Sequence, residues 1–262
     1  MPLSTEKNTA VLPPRILLYG TEGIGKTSFG ANADRPIFLP TERGLSGHPD
    51  VQRFPLSTSF SQVLGYLGEL ATEEHDRKTL VVDSVDWLEP LIWKQVCEEH
   101  KKENIEDVGG GYGKGFLFAL DLWTQYLQCL DYLNEERDMT IIQIAHAQIK
   151  RYENPETAPY DRYSIKLQDG KSCSASGKLL EYSDIVLFAN YQVTVIKEDK
   201  HFNKERKRAV GSDERFLYTQ ERPAYKAKNR YGLPEEIPFD KDGAYWQVIA
   251  QHVPYFNKGS IS

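Results

Sequence analysis

Sulfur is scarce in this 262-residue chain, which has three cysteines (Cys97, Cys129 and Cys173) and two methionines. The cysteines are odd in number and scattered, and no C-x-x-C pair occurs. That argues against a disulfide framework or a zinc ribbon and leaves three reduced thiols as the reading. No apolar run approaches the roughly 20 residues that a bilayer-spanning helix needs. The opening "MPLSTEKNTAVLPPR" has no apolar signal core, so residues 1–14 read as a flexible arm and the expected location is the cytoplasm. A basic excess is also missing: 32 Lys and Arg against 38 Asp and Glu give a formal charge of -6. Any nucleic-acid role must therefore rest on local basic segments and not on a global field. Apolar residues are not lacking. At 40% they support a sizeable core, and the length fits one α/β domain with additions.

The order of segments predicts a mostly parallel α/β sheet. "RILLY" (15–19), "PIFLP" (36–40), "TLVVD" (79–83) and "MTIIQIAHA" (139–147) are short apolar runs of the kind that become strands covered on both faces. Between them lie helical patterns. In "STSFSQVLGYLGELATEEHD", Ser59 and Gln62 resemble a capping box, and Val63, Leu64, Leu67 and Leu70 share one face. "DWLEPLIWKQVCEEHKK" (86–102) and "FLFALDLWTQYLQCLDYLNEER" (116–137) also read as helices, separated by a glycine-dense loop. Residues 148–176 show no usable period and read as one long loop, which in a compact domain is usually functional. Beyond it, "KLLEYSDIVLFANYQVTVIKE" and "ERFLYTQ" read as two antiparallel strands joined by a charged tip (197–213) at the sheet edge. The core is expected to span 15–240, with 241–262 as a C-terminal tail.

The chemistry begins at "GTEGIGKT" (Gly20 to Thr27), which fits G-x-x-x-x-G-K-[ST] between a strand and a helix. A backbone that can wrap a phosphate, and a helix that offers its N-terminal end, need those glycines: Gly20, Gly23 and Gly25, with Thr21, Glu22, Ile24 and Ser28 completing the cradle. Lys26 is the residue for the β- and γ-phosphates of ATP, and the Thr27 hydroxyl is a ligand for Mg²⁺. The alternative is a glycine-rich turn with a solvent lysine. Asp83 ends the third strand, at the edge where open α/β sheets bind ligands, and is assigned to the metal's shell; its alternative role is a helix cap. Asp86 sits outside the strand and is expected to cap the next helix. Glu42 follows the second strand and is the candidate base that orients the attacking water; otherwise it is a surface glutamate. His146 ends the fourth strand and either senses the γ-phosphate or is structural.

Local charge permits what net charge does not. The 148–176 loop carries Lys150, Arg151, Arg162, Lys166 and Lys171 interleaved with Tyr152, Tyr160 and Tyr163, and Lys178 follows. Cations for phosphates with aromatics for unstacked bases suit single-stranded nucleic acid. Lys101, Lys102, Tyr112 and Lys114 form a second strip, and "KEDKHFNKERKR" a third. Each is otherwise an ordinary solvated loop.

"GTEGIGKT", a strand followed by Glu42, "VVDSVDWLEP" and "IIQIAHAQIK" occur in an order that resembles the RecA core. Together with "YKAKNRYGLPEEIPF" (225–239), they are similar to the phage RecA-like single-strand annealing recombinase family, phage P-loop nucleotide-binding ATPases; the resemblance covers roughly residues 15–240. It implies a RecA-like P-loop ATPase core with helices on both faces of a twisted sheet, and a DNA-stimulated ATPase of homologous recombination. In this view Glu42 is the catalytic glutamate and His146 stands where RecA has a coupling glutamine. The segments 103–115 and 148–176 are DNA-binding loops. Lys226 and Lys228 are lysines offered across a subunit interface to a neighbour's ATP. The implied partners are single-stranded DNA, further copies of the chain and a single-strand-binding protein. Without a substantial polymerisation domain in this sequence, rings or short oligomers are expected more than a long filament. Three other readings stay open: a RecA-fold ring helicase or helicase loader, a small-molecule P-loop kinase with 148–176 as its lid, and a nucleotide switch without turnover.

Overall fold

A computed structural model describes residues 11–170, 173–198 and 206–257. Its elements run β1 (Arg15–Gly20), α1 (Lys26–Ala31), β2 (Pro36–Pro40), β3 (Gln52–Arg53), α2 (Phe60–Thr72), β4 (Thr79–Asp83), α3 (Val85–Glu99) and α4 (Lys114–Glu135). They continue with β5 (Thr140–Tyr152), β6 (Tyr160–Ile165), α5 (Ala175–Tyr182), β7 (Ile185–Glu198), β8 (Arg206–Tyr218), β9 (Lys228–Asn229), β10 (Glu236–Pro238) and α6 (Tyr245–His252). The sheet order is β10-β8-β7-β1-β5-β4-β2-β3. From β7 to β3 every neighbouring pair is parallel. β8 and β10 add an antiparallel edge.

The central strands are apolar throughout because both faces are covered. Leu17, Tyr19, Leu80, Val82, Ile141 and Phe188 pack under α2, α3, α4 and α5. Ile16, Leu18, Val81, Ile142, Ile144 and Leu187 pack under α1 and α6. The period-2 alternation sends neighbours such as Ile141 and Ile142 to opposite layers. Helix α2 forms as its pattern predicts, with Val63, Leu67 and Leu70 buried, each contributing about 1.5–3 kcal/mol by leaving water. Ser59 Oγ accepts from Gln62 N–H at 3.3 Å, but Gln62 Oε1 accepts from Thr58 N–H at 2.8 Å, one residue earlier than a capping box requires.

Four expectations need correction. Residues 148–176 are not one loop. β5 continues past the sheet to Tyr152 and pairs with β6 as an antiparallel hairpin, with Ile149 opposite Tyr163 and Tyr152 opposite Tyr160. The hairpin has no apolar period because it projects from the sheet with much of its surface in water. His146 therefore lies inside a strand, not at its end. "KLLEY" belongs to helix α5, not to a strand: Ser174 Oγ accepts the Gly177 N–H at 2.7 Å and starts a turn that the apolar run concealed. The segment after residue 240 is more than a tail, since Tyr245, Ile249 and Val253 are buried in the core under β1 and β7.

Candidate functional site

Parallel order puts the C-terminal ends of β1, β2 and β4 on one edge, where β5 passes at His146. Along it Gly20 pairs with His146, Asp83 with Ile144, and Pro40 with Asp83. The chain then leaves β1 through the Gly-rich turn, and the reasons for the glycines differ. A Cβ on Gly20 would lie 2.3 Å from the Ala189 carbonyl oxygen, so this glycine is required by strand packing. Gly23 and Gly25 have φ of +72° and +112°, a left-handed backbone that L side chains resist. Inside the turn Lys26 is buried, and its Nζ donates to the carbonyls of Gly20 (3.2 Å) and Thr21 (2.9 Å). Burial lowers its pKa against the opposing pull of Asp83, Asp86 and Glu42. Thr21 Oγ1 is buried there without a hydrogen-bond partner, a donor left for a phosphate oxygen.

Thr27 Oγ1 donates to Asp83 Oδ2 at 2.9 Å. Burial raises the Asp83 carboxyl to about 6 against that bond. A hydroxyl and a carboxylate at this spacing are the hard oxygen donors that suit magnesium, which takes the rest of its shell from phosphates and water. The end of β2 is stapled beside them. Thr41 Oγ1 donates to Ser84 O at 2.6 Å and accepts Ser84 N–H at 2.9 Å. Ser84 Oγ donates to Glu42 Oε1 at 2.6 Å, so the glutamate is oriented by the residue that follows Asp83.

Asp86 is the main residue the sequence reading missed. Ser84, not Asp86, occupies the N-cap of α3. Asp86 Oδ1 instead accepts the His146 backbone N–H, and Oδ2 pairs with His146 Nδ1, both at 2.9 Å. His146 Nδ1 is also 3.9 Å from Glu42 Oε1. The bond to Asp86 raises the imidazole's pKa in spite of burial. Burial alone would raise Asp86, but the two bonds from His146 hold it low. No spacing rule could have found this clamp, because the start of α3 meets β5 only once β4 and β5 pair in the sheet. A cavity of about 430 Å³ opens next to Glu42, lined by Arg43, His48, Pro49 and Arg53 among others, and His48 Nε2 lies 3.4 Å from Ser28 Oγ.

The candidate DNA-binding residues divide. Arg151 and Lys166 are exposed, Tyr152 is partly so, and Tyr160 lies against Tyr152 with ring centroids 5.5 Å apart. Lys150 and Arg151 have acidic neighbours, Asp169 at 3.8 Å and Asp161 at 3.5 Å. Lys114 begins α4 next to the fully exposed Tyr112. Two residues are corrected. Arg162 is 4% exposed, bonds to Glu221 at 2.5 Å and to the Tyr225 carbonyl, and lies over the Tyr152 ring. Tyr163 packs on Phe188 at 5.0 Å. Both tie the hairpin to the core, and Arg162 Nε is buried there without a hydrogen-bond partner. Lys171 and most of the third basic strip lie outside the described residues. Lys226 is anchored through its backbone to the Tyr19 hydroxyl. Lys228 Nζ donates to the Leu180 carbonyl at 2.7 Å, at the end of α5. Lys228 pairs with Val186, which pairs with Leu17, three residues before Gly20. This lysine therefore sits away from its own chain's phosphate turn.

The AAA-domain family model matches residues 12–231. The SPbeta prophage-derived uncharacterized protein YorG of Bacillus subtilis (strain 168) is 29% identical over 135 residues, a stretch that covers 50% of this chain and 40% of that protein. The crystal structure of the RadB recombinase aligns with 14% identity and a TM-score of 0.47, covering 89% of this chain and 91% of that one.

Proposed function

Because this chain belongs to the AAA-domain family of P-loop proteins, we propose that it is an ATPase that binds single-stranded DNA and anneals complementary strands in homologous recombination, with strand exchange as an extension. One observation carries the reading. β5 holds His146 beside the phosphate turn and continues without a break into the hairpin that carries Lys150, Arg151 and Tyr152. A displacement at one end of a paired strand reaches the other.

In this scheme the Gly20–Thr27 turn cradles the phosphates with inward N–H groups, the Thr21 hydroxyl and the Lys26 ammonium. Thr27 and Asp83 would hold magnesium, which would supply positive charge to offset that of the phosphates. Glu42, oriented by Ser84, accepts a proton from the attacking water. His146, held through Nδ1 by Asp86, keeps Nε2 for a γ-phosphate oxygen. Loss of that phosphate after hydrolysis frees His146 and with it the hairpin. The cavity beside His48 accepts the nucleoside. Lys226 and Lys228 serve a neighbouring copy's nucleotide.

The test is the ATPase rate with and without single-stranded DNA over a range of protein concentrations. DNA is expected to raise the rate, and the rate per subunit should climb with concentration. Glu42→Gln should retain ATP binding and lose about 10²–10⁴-fold in turnover, whereas Lys26→Ala should lose both. A rate indifferent to DNA, with DNA affinity indifferent to salt, overturns the recombination reading.

A further inference from the structure

The turn that holds the phosphates is braced from outside by a residue with no part in the scheme above. Arg215 lies on β8, and its Nη1 donates to the Ile24 carbonyl at 3.0 Å. Its guanidinium carbon is 5.7 Å from the Phe239 ring centroid, and its own carbonyl accepts the Phe239 N–H at 2.8 Å. The fit is close: a Cβ on Gly25 would stand 3.2 Å from Nη1 and 3.4 Å from the Phe239 ring. Ile24 and Phe239 are both buried.

In a trans peptide the C=O and the N–H point in opposite directions. A carbonyl of Ile24 turned outward to Arg215 therefore turns the Gly25 N–H inward, toward the cradle. A cation on the carbonyl also polarises that peptide and makes its N–H a better donor to an anion. Gly25 is the N-cap of α1, so this N–H is the last of the turn before the helix begins. We infer that Arg215 is a positioning residue for nucleotide binding: from β8 it fixes the Ile24–Gly25 peptide with its N–H directed at the phosphates. The inference rests on the reading of the turn as a nucleotide site. It adds a cation outside the motif, on β8.

The experiment measures dissociation constants for ATP and ADP by calorimetry on the wild-type chain, Arg215→Gln and Arg215→Lys, with the unfolding temperature of each nucleotide-free protein as control. Arg215→Gln should weaken ATP and ADP equally, by about tenfold, the scale of one hydrogen bond to a charged donor. Arg215→Lys, which retains the charge, should recover most of the loss, and turnover at saturating ATP should stay near the wild-type rate. Unchanged dissociation constants in Arg215→Gln overturn the inference, as does a loss confined to ATP, which would mean a direct contact to the γ-phosphate. A loss that follows the unfolding temperature and that Arg215→Lys does not rescue also overturns it, by showing a purely structural role. If the wild type binds neither nucleotide, the fault lies with the nucleotide reading and not with Arg215.

Discussion

Glu89 sits in the first half of α3 at 5% exposure, and both of its carboxylate oxygens face the Gln168 N–H at 3.0–3.1 Å. Burial lifts its carboxyl to about 7 against that one bond. An acid whose folded pKa is raised binds a proton more readily in the native state, so stability falls as pH rises from about 4.5 to about 7. Glu89→Gln retains an acceptor for Gln168 and removes the charge. The expected outcome is a shallower fall of the urea midpoint over that interval than in the wild type, with the titrations of Asp83 and His146 still contributing, and a gain on the order of 2 kcal/mol at pH 8. A second residue test concerns the clamp on His146. Asp86→Asn retains hydrogen-bonding capacity but removes the negative charge, so the His146 titration, followed by ring-proton NMR, should move down toward the ordinary histidine value. The candidate site residues Lys26, Thr27 and Asp83 were legible in the sequence, since they stand at fixed offsets from strand ends. Asp86 was not, because its partner is 60 residues away on a strand that only the sheet brings near.

Among elements, α6 and the β5–β6 hairpin carry the sharpest expectations. α1 is only six residues long, so its final carbonyls lack partners within the helix. α6 supplies one at Phe29 O, where Trp246 Nε1 donates at 3.0 Å, and Tyr245 Oη adds a bond at 3.3 Å to Ser28 O, which also accepts the Asn32 N–H at 3.1 Å. Trp246→Phe leaves a ring but strands the Phe29 carbonyl, and should lower stability by about 1–3 kcal/mol in chemical denaturation. For the hairpin, Tyr152→Ala should weaken single-stranded DNA binding by about 1–3 kcal/mol with an unchanged salt slope. Lys166→Ala should instead reduce the slope of log affinity against log salt by about 0.7. Strands and helices with one strong period, such as β4 and α2, were readable. The hairpin and α5 were not. The first has too little apolar patterning to register, and the second has a run of apolar residues that merges with the strand after it.

At the scale of the molecule the question is whether copies complete one another's sites. Lys228 lies on the α5 side of the sheet, away from its own phosphate turn, so a role in hydrolysis requires a second chain. Lys26→Ala fails in its own turn, and Lys228→Ala fails to serve its neighbour's. Mixed together, the two variants form some interfaces with both lysines intact. Under a head-to-tail arrangement with random mixing, about a quarter of the sites are whole, so the mixture should regain up to about that share of wild-type turnover. A mixture as inactive as its components would remove Lys228 from the site.

By itself the sequence determined the phosphate turn, the acid that faces it and a mostly parallel sheet between two helical layers. Those features are written in local offsets and in the period of apolar residues, which need no knowledge of distant contacts. The tertiary structure alone decided that Asp86 clamps His146, that Arg162 and Tyr163 serve the core, and that β8 and α6 brace the turn from behind. Each of those depends on which strands lie side by side, and pairing between remote segments leaves no periodic trace in a single chain.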